Sequence, residues 1–192
     1  MEQVSKKETE EILRLAKNSL ASEGDFVELG CYKGDTSLLL AKLLKDSGSV
    51  KKLWLYDSFA GLPAKTAEDS SSAGDAFKAG ELKVTRREVA ERFRRANLPL
   101  PAIKKAFFSE LASPDLPQSV AFAFLDGDLY ASIRDSLRLV VPKLSHDAIV
   151  IVHDYNNPEL PGVSRAVDQF LGANPQFSLN RRFSLAILSA SF

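Results

Sequence analysis

The residues best suited to chemistry begin in the segment from Phe26 to Ser37, where a short apolar strand breaks on Gly30 and Gly34 and a helix then starts. Glu28 lies inside the strand end, and Gly30 lets the backbone approach a ligand with no Cβ in the way. A second apolar run, Leu53-Trp54-Leu55-Tyr56, ends on Asp57, 27 residues beyond Gly30. A carboxylate at the tip of the second strand of a βαβ unit lies where it can accept both hydroxyls of a nucleoside ribose. The loop lacks the three glycines of a dinucleotide fingerprint, and no Lys-Ser/Thr pair follows Gly34 as a P-loop requires. A nucleoside with a small charged tail, such as S-adenosylmethionine, therefore suits it better than one with a pyrophosphate. A purely structural reading stands beside this one, in which Gly30 and Gly34 only make a tight strand-to-helix turn.

A second constellation follows two later apolar runs. Asp126-Gly127-Asp128-Leu129-Tyr130 comes after Ala121 to Leu125, and His153-Asp154-Tyr155-Asn156 comes after Ala148 to Val152. In open parallel sheets ligands bind outside the carboxyl ends of the strands, so both tips should face the crevice that holds Glu28 and Asp57. Asp126 and Asp154 offer the oxygen ligands a hard cation such as magnesium uses. His153 is a third ligand or a general base, since an imidazole with its ordinary pKa of about 6.5 can take a proton from a hydroxyl at neutral pH. Acids at strand ends also cap the helices that follow, and Asp128 in particular is expected to be such a cap or a lid anchor.

These residues need a frame, and the hydrophobic periods supply one. Strands are expected at Lys52 to Tyr56, Ile103 to Phe108, Ala121 to Leu125 and Ala148 to Val152. Helical stripes run through Ile12 to Leu20, Thr36 to Leu44, Ile133 to Val141 and Val163 to Leu171. The alternation predicts an α/β fold with a doubly wound, mostly parallel sheet. A hairpin, Gln176 to Leu179 and Leu185 to Ser189 around Asn180-Arg181-Arg182, adds one antiparallel strand at the end. Between about residues 61 and 98 the repeat is interrupted by a Ser/Asp/Gly-rich stretch, Asp69 to Asp75, and a basic helix, Thr85 to Ala96. Its place just after Asp57 marks it as a lid over the cleft. The arginines of that helix are expected on a solvated face.

At 192 residues, with 45% hydrophobic and 26% charged residues, the chain is sized for one domain, 1–192, with one substantial core. The 25 basic and 25 acidic residues cancel, which favours neither a nucleic acid nor an anionic membrane as partner. The single cysteine, Cys31, rules out an internal disulfide and any multi-cysteine zinc site. With no long apolar run and a polar N-terminus, a cytoplasmic protein is expected. A homodimer stays open.

Four segments carry a resemblance. Val27-Glu28-Leu29-Gly30-Cys31-Tyr32-Lys33-Gly34, Asp57-Ser58-Phe59-Ala60-Gly61-Leu62-Pro63, Leu125-Asp126-Gly127-Asp128-Leu129-Tyr130 and His153-Asp154-Tyr155 resemble the macrocin O-methyltransferase (TylF-like) family of class I S-adenosylmethionine-dependent methyltransferases. Gly74-Asp75-Ala76-Phe77 and the Arg94-Arg95 helix are similar to that family's lid, and Gly162 to Asp168 to its following helix. The match covers about Gly24 to the C-terminus, and the Asp-Ser-Phe-x-Gly-Leu-Pro element is its most specific part. The resemblance implies a seven-stranded methyltransferase sheet and methylation of a hydroxyl on a sugar or related small molecule, assisted by Mg2+. It also implies cofactor contacts from Glu28, Gly30, Cys31, Tyr32, Gly34, Thr36 and Ser37, from Asp57, Ser58 and Phe59, from Ser109 and Glu110 on the adenine side, and from Asp126 and Gly127. Asp126, His153 and Asp154 would be the catalytic and metal-binding set. At His153 the chain departs from the family's two adjacent acids, placing imidazole where an oxygen ligand is usual. A nucleoside-binding protein without turnover would need Gly30 and Asp57 but not His153 or Asp154. A metal-dependent hydrolase would need the acids but not the cofactor.

Overall fold

A segment that carries only apolar side chains belongs at the centre of a sheet covered on both faces. Val120–Leu125 is such a segment, and all six of its residues are buried. In the computed structural model, which describes residues 4–71 and 76–190, it is the central strand of a seven-stranded sheet. The strands are β1 (Asp25–Leu29), β2 (Leu53–Asp57), β3 (Ala102–Lys105), β4 (Val120–Leu125), β5 (Leu144–Val152), β6 (Phe177–Arg182) and β7 (Leu185–Ala190). Their order across the sheet is β3-β2-β1-β4-β5-β7-β6, and only β7 runs against its neighbours. Helices α1 (Lys6–Asn18), α2 (Asp35–Asp46) and α3 (Arg86–Arg95) cover one face, burying Ile12, Leu40 and Phe93. Helices α4 (Tyr130–Val140) and α5 (Pro161–Ala173) cover the other, burying Ile133 and Val163. Among the described residues no helix is long and apolar enough to cross a membrane.

Register brings the strand tips together. Leu29 lies opposite Tyr56 in β2 and Leu125 in β4, and Leu125 lies opposite Val152 in β5. The next residue on each strand is therefore Gly30, Asp57, Asp126 or His153, and these four stand in a row along the carboxyl edge. The parallel twist of β1, β2, β4 and β5 keeps that row on one rim, where a ligand meets all four.

Several local expectations need correction. Asn180, Arg181 and Arg182 continue β6, and the hairpin turns at Phe183-Ser184, with Phe183 left-handed at φ 57°. Strand β5 begins at Leu144, because Ser145 to Asp147 form a bulged stretch against Val120. Strand β3 stops at Lys105, and Phe108–Glu110 is a 3-10 turn. Asp128 does not cap α4; the cap residue is Leu129, without a side-chain bond. Asp69, from the inserted segment, takes that role by accepting the Tyr130 amide at 2.7 Å.

The insertion is accordingly less irregular than its composition implies. Ala67–Asp69 is a 3-10 turn, and Asp69 is buried. Its second oxygen accepts the Thr66 amide at 2.9 Å and hydroxyl at 3.1 Å. A Cβ on Gly162 would meet Asp69 Oδ1 at 1.9 Å, so glycine at the start of α5 leaves room for this anchor. Ser72 to Asp75, the middle of the expected lid, lie outside the described residues. In α3 the arginines are not all solvated. Arg92 donates to the Lys33 carbonyl at 2.5 Å and pairs with Asp35 at 2.6 Å, clasping the helix to the glycine loop.

Candidate functional site

The glycine loop is built on a close crossing. Gly30 has φ +92°, and a Cβ there would lie 1.8 Å from the Asp126 carbonyl oxygen, so only glycine lets the chain pass over the end of β4. Its amide donates to the Tyr56 carbonyl at 2.8 Å, which fixes the loop to β2 as well. Asp57 then holds the loop from the side. Its Oδ2 accepts the amides of Cys31 at 3.1 Å and Tyr32 at 3.0 Å, and its Oδ1 accepts that of Phe59 at 2.8 Å. Burial raises the Asp57 carboxyl pKa while these three amides pull it back. One lone pair on Oδ1 stays free for a hydroxyl donor.

Glu28 lies under the loop, 1% exposed, and its Oε2 has no hydrogen-bond partner. Burial pushes its carboxyl up to about 8; the Ser37 hydroxyl beside it opposes the shift, and the carboxylates of Asp126 and Asp57 reinforce it. A buried carboxyl oxygen without a donor is costly in an empty protein and is answered by a ligand that brings a positive charge or a donor. This orphaned atom is the best structural argument that a cationic cofactor belongs here.

Two cavities meet at the loop. One of about 490 Å³ is lined by Gly30, Tyr32, Asp57, Ser58, Asp126 and Gly127 at one end and by Asp128, His153, Asp154 and Asn157 at the other. Leu62, Pro63, Phe77, Leu82, Phe107, Phe108 and Leu160 form its apolar walls. The second, about 720 Å³, lies on the α1 side of the loop and reaches Glu28, Cys31 and Thr36. Gly30, Tyr32, Lys33 and Asp126 border both.

Most of the expected cofactor positions gather here, and some do not. Gly34 is the left-handed cap residue of α2, φ 81°, and turns the loop into the helix. Ser37 is fully buried one turn further on, against Glu28. Phe59 points into the core with Cys31 and lines neither cavity. Ser109 and Glu110 also line neither; Glu110 accepts the Phe107 amide of its own turn at 2.9 Å, and Phe107 and Phe108 face the cleft instead. The short β3 explains this, since the chain leaves the sheet three residues early and presents its phenylalanines. The consecutive aromatics Phe107 and Phe108 just after the strand are the signal available for that.

At the far end of the first cavity His153 is 4% exposed and enclosed by carboxylates. Its Nδ1 lies 3.0 Å from Asp126 Oδ1 and 3.2 Å from Asp154 Oδ2, and its Nε2 lies 3.8 Å from Glu8 Oε2. Burial opposes a charged imidazole, yet the acids, Asp126 foremost, hold its pKa well above the ordinary value. His153 in turn, helped by serine donors, holds Glu8 well below the usual carboxylate range against its own burial. Burial, with Asp126 and Asp154 adding to it, pushes Asp128 well above that range. Asp128 and Asp154 are both left-handed, at φ 58° and 60°, which turns the chain back on itself at each strand tip. Asn157 steadies Asp154 by donating to its Oδ1 at 3.0 Å.

Asp126, His153 and Asp154 each present a ligand atom, all within 4.8 Å of one another. The two short edges match the ligand-to-ligand edge of roughly 3.0 Å in an octahedral site with bonds of about 2.1 Å. The donor set therefore fits a divalent cation. One cavity thus runs from the glycine loop and Asp57 to the Asp126, His153 and Asp154 cluster.

Comparison with known proteins agrees with this arrangement. The chain is 32% identical over 155 residues to demethyldecarbamoylnovobiocin O-methyltransferase of Streptomyces niveus, covering 77% of this chain and 58% of that protein. It is 30% identical over 139 residues to the Streptomyces olivaceus 8-demethyl-8-(2,3-dimethoxy-alpha-L-rhamnosyl)-tetracenomycin-C 4'-O-methyltransferase, covering 69% and 53%. The chain thus spans little more than half the length of either relative. The solved structure of the O-methyltransferase NovP superposes with a TM-score of 0.84 at 25% identity, over 97% of this chain and 80% of that one. The family model for macrocin O-methyltransferase matches residues 7–176, a span that holds the glycine loop, Asp57 and the Asp126–His153–Asp154 cluster alike. The chain belongs to the macrocin O-methyltransferase (TylF) family.

Proposed function

We propose that this protein is an S-adenosylmethionine-dependent O-methyltransferase that acts on a hydroxyl of a small molecule, a sugar or glycosylated natural product, with a divalent cation at Asp126, His153 and Asp154. The observation that carries this reading is one cavity bounded by the Gly30 loop and Asp57 at one end and by that cluster at the other. The sugar preference draws on the relatives, one of which is named for a rhamnosyl-bearing acceptor.

S-adenosylmethionine brings the activated methyl group, so the chain's own task is to bind, orient and manage a proton. Asp57 offers its one free lone pair to a ribose hydroxyl, so the expected grip on both hydroxyls is reduced to one, and Phe107 and Phe108 give the apolar wall a purine ring needs. The orphaned Glu28 Oε2 suits the cationic end of the methionine moiety. Leu62, Phe77, Leu82 and Leu160 keep water from the path of transfer. A bound dication supplies the field that lowers the pKa of an acceptor hydroxyl. Asp126 and Asp154 fix where that hydroxyl must lie, on the cavity side of His153.

The test is formation of S-adenosylhomocysteine when the full chain is given S-adenosylmethionine and a panel of deoxysugar glycosides. Product on at least one acceptor, lost in Asp154→Ala, supports the reading. A protein that binds cofactor but methylates none of them is better described as a binding protein.

A further inference from the structure

His153 gives the cluster a preference among cations. Two anionic oxygens at 3.0 and 3.2 Å from one ring nitrogen form an arrangement that requires positive charge between them, since a bare lone pair would face two carboxylates. Either a proton on Nδ1 or a metal ion meets that requirement. The opposite ring nitrogen shows how the ring is held. Nε2 points at Glu8, a residue of the first turn of α1, whose carboxylate is only 7% exposed.

Glu8 is itself held rigidly. Its Oε2 accepts the Ser5 amide at 2.9 Å and the Ser5 hydroxyl at 2.6 Å, forming the capping box of α1. Its Oε1 accepts the Ser184 amide at 3.1 Å and the Ser184 hydroxyl, so the β6–β7 turn holds it from the other side. At 3.8 Å the Glu8 carboxylate is beyond hydrogen-bond length from Nε2, but its charge favours a proton on that nitrogen, which leaves Nδ1 to face a metal ion when one is bound.

Resting on the cation-assisted reading above, we propose that Asp126, His153 and Asp154 form a site selective for a first-row transition dication over Mg2+, with Glu8 as the residue that positions His153 for it. Mg2+ demands oxygen ligands and dehydrates reluctantly, whereas imidazole favours the manganese-to-zinc series. One nitrogen among three protein ligands, with edges of octahedral length, suits Mn2+ or Co2+.

The experiment is calorimetry of the full chain, saturated with S-adenosylhomocysteine, titrated with CoCl2, MnCl2 and MgCl2, with the visible spectrum of bound Co2+ as a second readout. Wild type should bind Co2+ at least about tenfold more tightly than Mg2+, with a ligand-field band that shifts when His153 is replaced. His153→Asp should bring the two affinities together. Glu8→Gln should weaken Co2+ by about tenfold or more, yet change nothing in the His153→Asp background, because a positioning residue acts only through the imidazole. A purely structural role for Glu8 would weaken metal binding equally in both backgrounds and would overturn its assignment. Equal affinity for Mg2+ and Co2+ in wild type, or a selectivity untouched by His153→Asp, would overturn the preference. If no metal binds and the Nδ1 nitrogen resonance is that of a protonated ring, a proton fills the site and the inference fails. The methyltransferase reading would survive that result and falls only if S-adenosylhomocysteine itself does not bind.

Discussion

Replacing Glu28 by Gln tests how the site is prepared for its cofactor. The carboxyl is fully buried in β1, one of its oxygens lacks a donor, and Asp126 and Asp57 stand close by. Its pKa is raised from 4.5 to about 8, so the folded chain keeps a proton that the unfolded chain releases. The sign follows from linkage. Between about pH 4.5 and 8 each pH step costs the folded state roughly 1.4 kcal/mol relative to a neutral side chain, and the cost levels off above pH 8. It amounts to roughly 2 kcal/mol at pH 6 and approaches about 5 kcal/mol at pH 9. Glu28→Gln has the same shape and no ionisation, so its stability advantage over wild type should widen by about 2–3 kcal/mol between pH 6 and pH 9. Urea unfolding at several pH values, followed by circular dichroism, reads this directly. The same variant should bind S-adenosylhomocysteine more weakly, because the amide cannot answer the ammonium with a charge. Stability curves that run parallel for wild type and variant across this range would mean that Glu28 titrates in the folded protein as it does in the unfolded chain.

Three further outcomes follow from the geometry. Gly30→Ala places a Cβ 1.8 Å from the Asp126 carbonyl at a left-handed φ, so it should cost at least ~3 kcal/mol and reduce the soluble yield, measured by thermal unfolding. Asp69→Ala removes the cap of α4 and two bonds to Thr66, and should lower stability by about 2–3 kcal/mol; Gly162→Ala should mimic it, because its Cβ displaces the Asp69 carboxylate. Asp154→Ala should cut turnover by about a hundredfold or more while S-adenosylhomocysteine affinity, read by calorimetry, stays near wild type.

The sequence makes the sheet legible where burial is two-sided. Val120–Leu125 and Ala148 to Val152 read as strands because they carry no polar alternation, and the acids that follow them had to fall at the carboxyl edge. Gly30 and Asp57 were legible for the same reason, each ending an apolar run in a βαβ unit. The β6–β7 turn was not. Asn180 to Arg182 look like turn residues but lie exposed on an edge strand, and the turn is made by Phe183, which has no turn signature. Asp69 sits in a polar stretch with no local signal of its role, because its partners, the Tyr130 amide and the space over Gly162, are set by tertiary packing alone. Glu8 was invisible as a site residue. It fits a capping box with Ser5 so well that nothing local points to His153, and only the folding of α1 across the edge of β5 brings the two together.

If the cleft between Gly30 and Asp57 holds S-adenosylmethionine, calorimetry with S-adenosylhomocysteine detects it without any acceptor. The full chain should bind one equivalent and show no comparable affinity for NAD. Asp57→Ala should lose at least about tenfold in affinity, since it removes a charge-assisted bond to the ribose and the clamp on the Cys31 and Tyr32 amides. Unchanged affinity in that variant, or tighter binding of NAD by wild type, would mean that the cleft is built for another ligand.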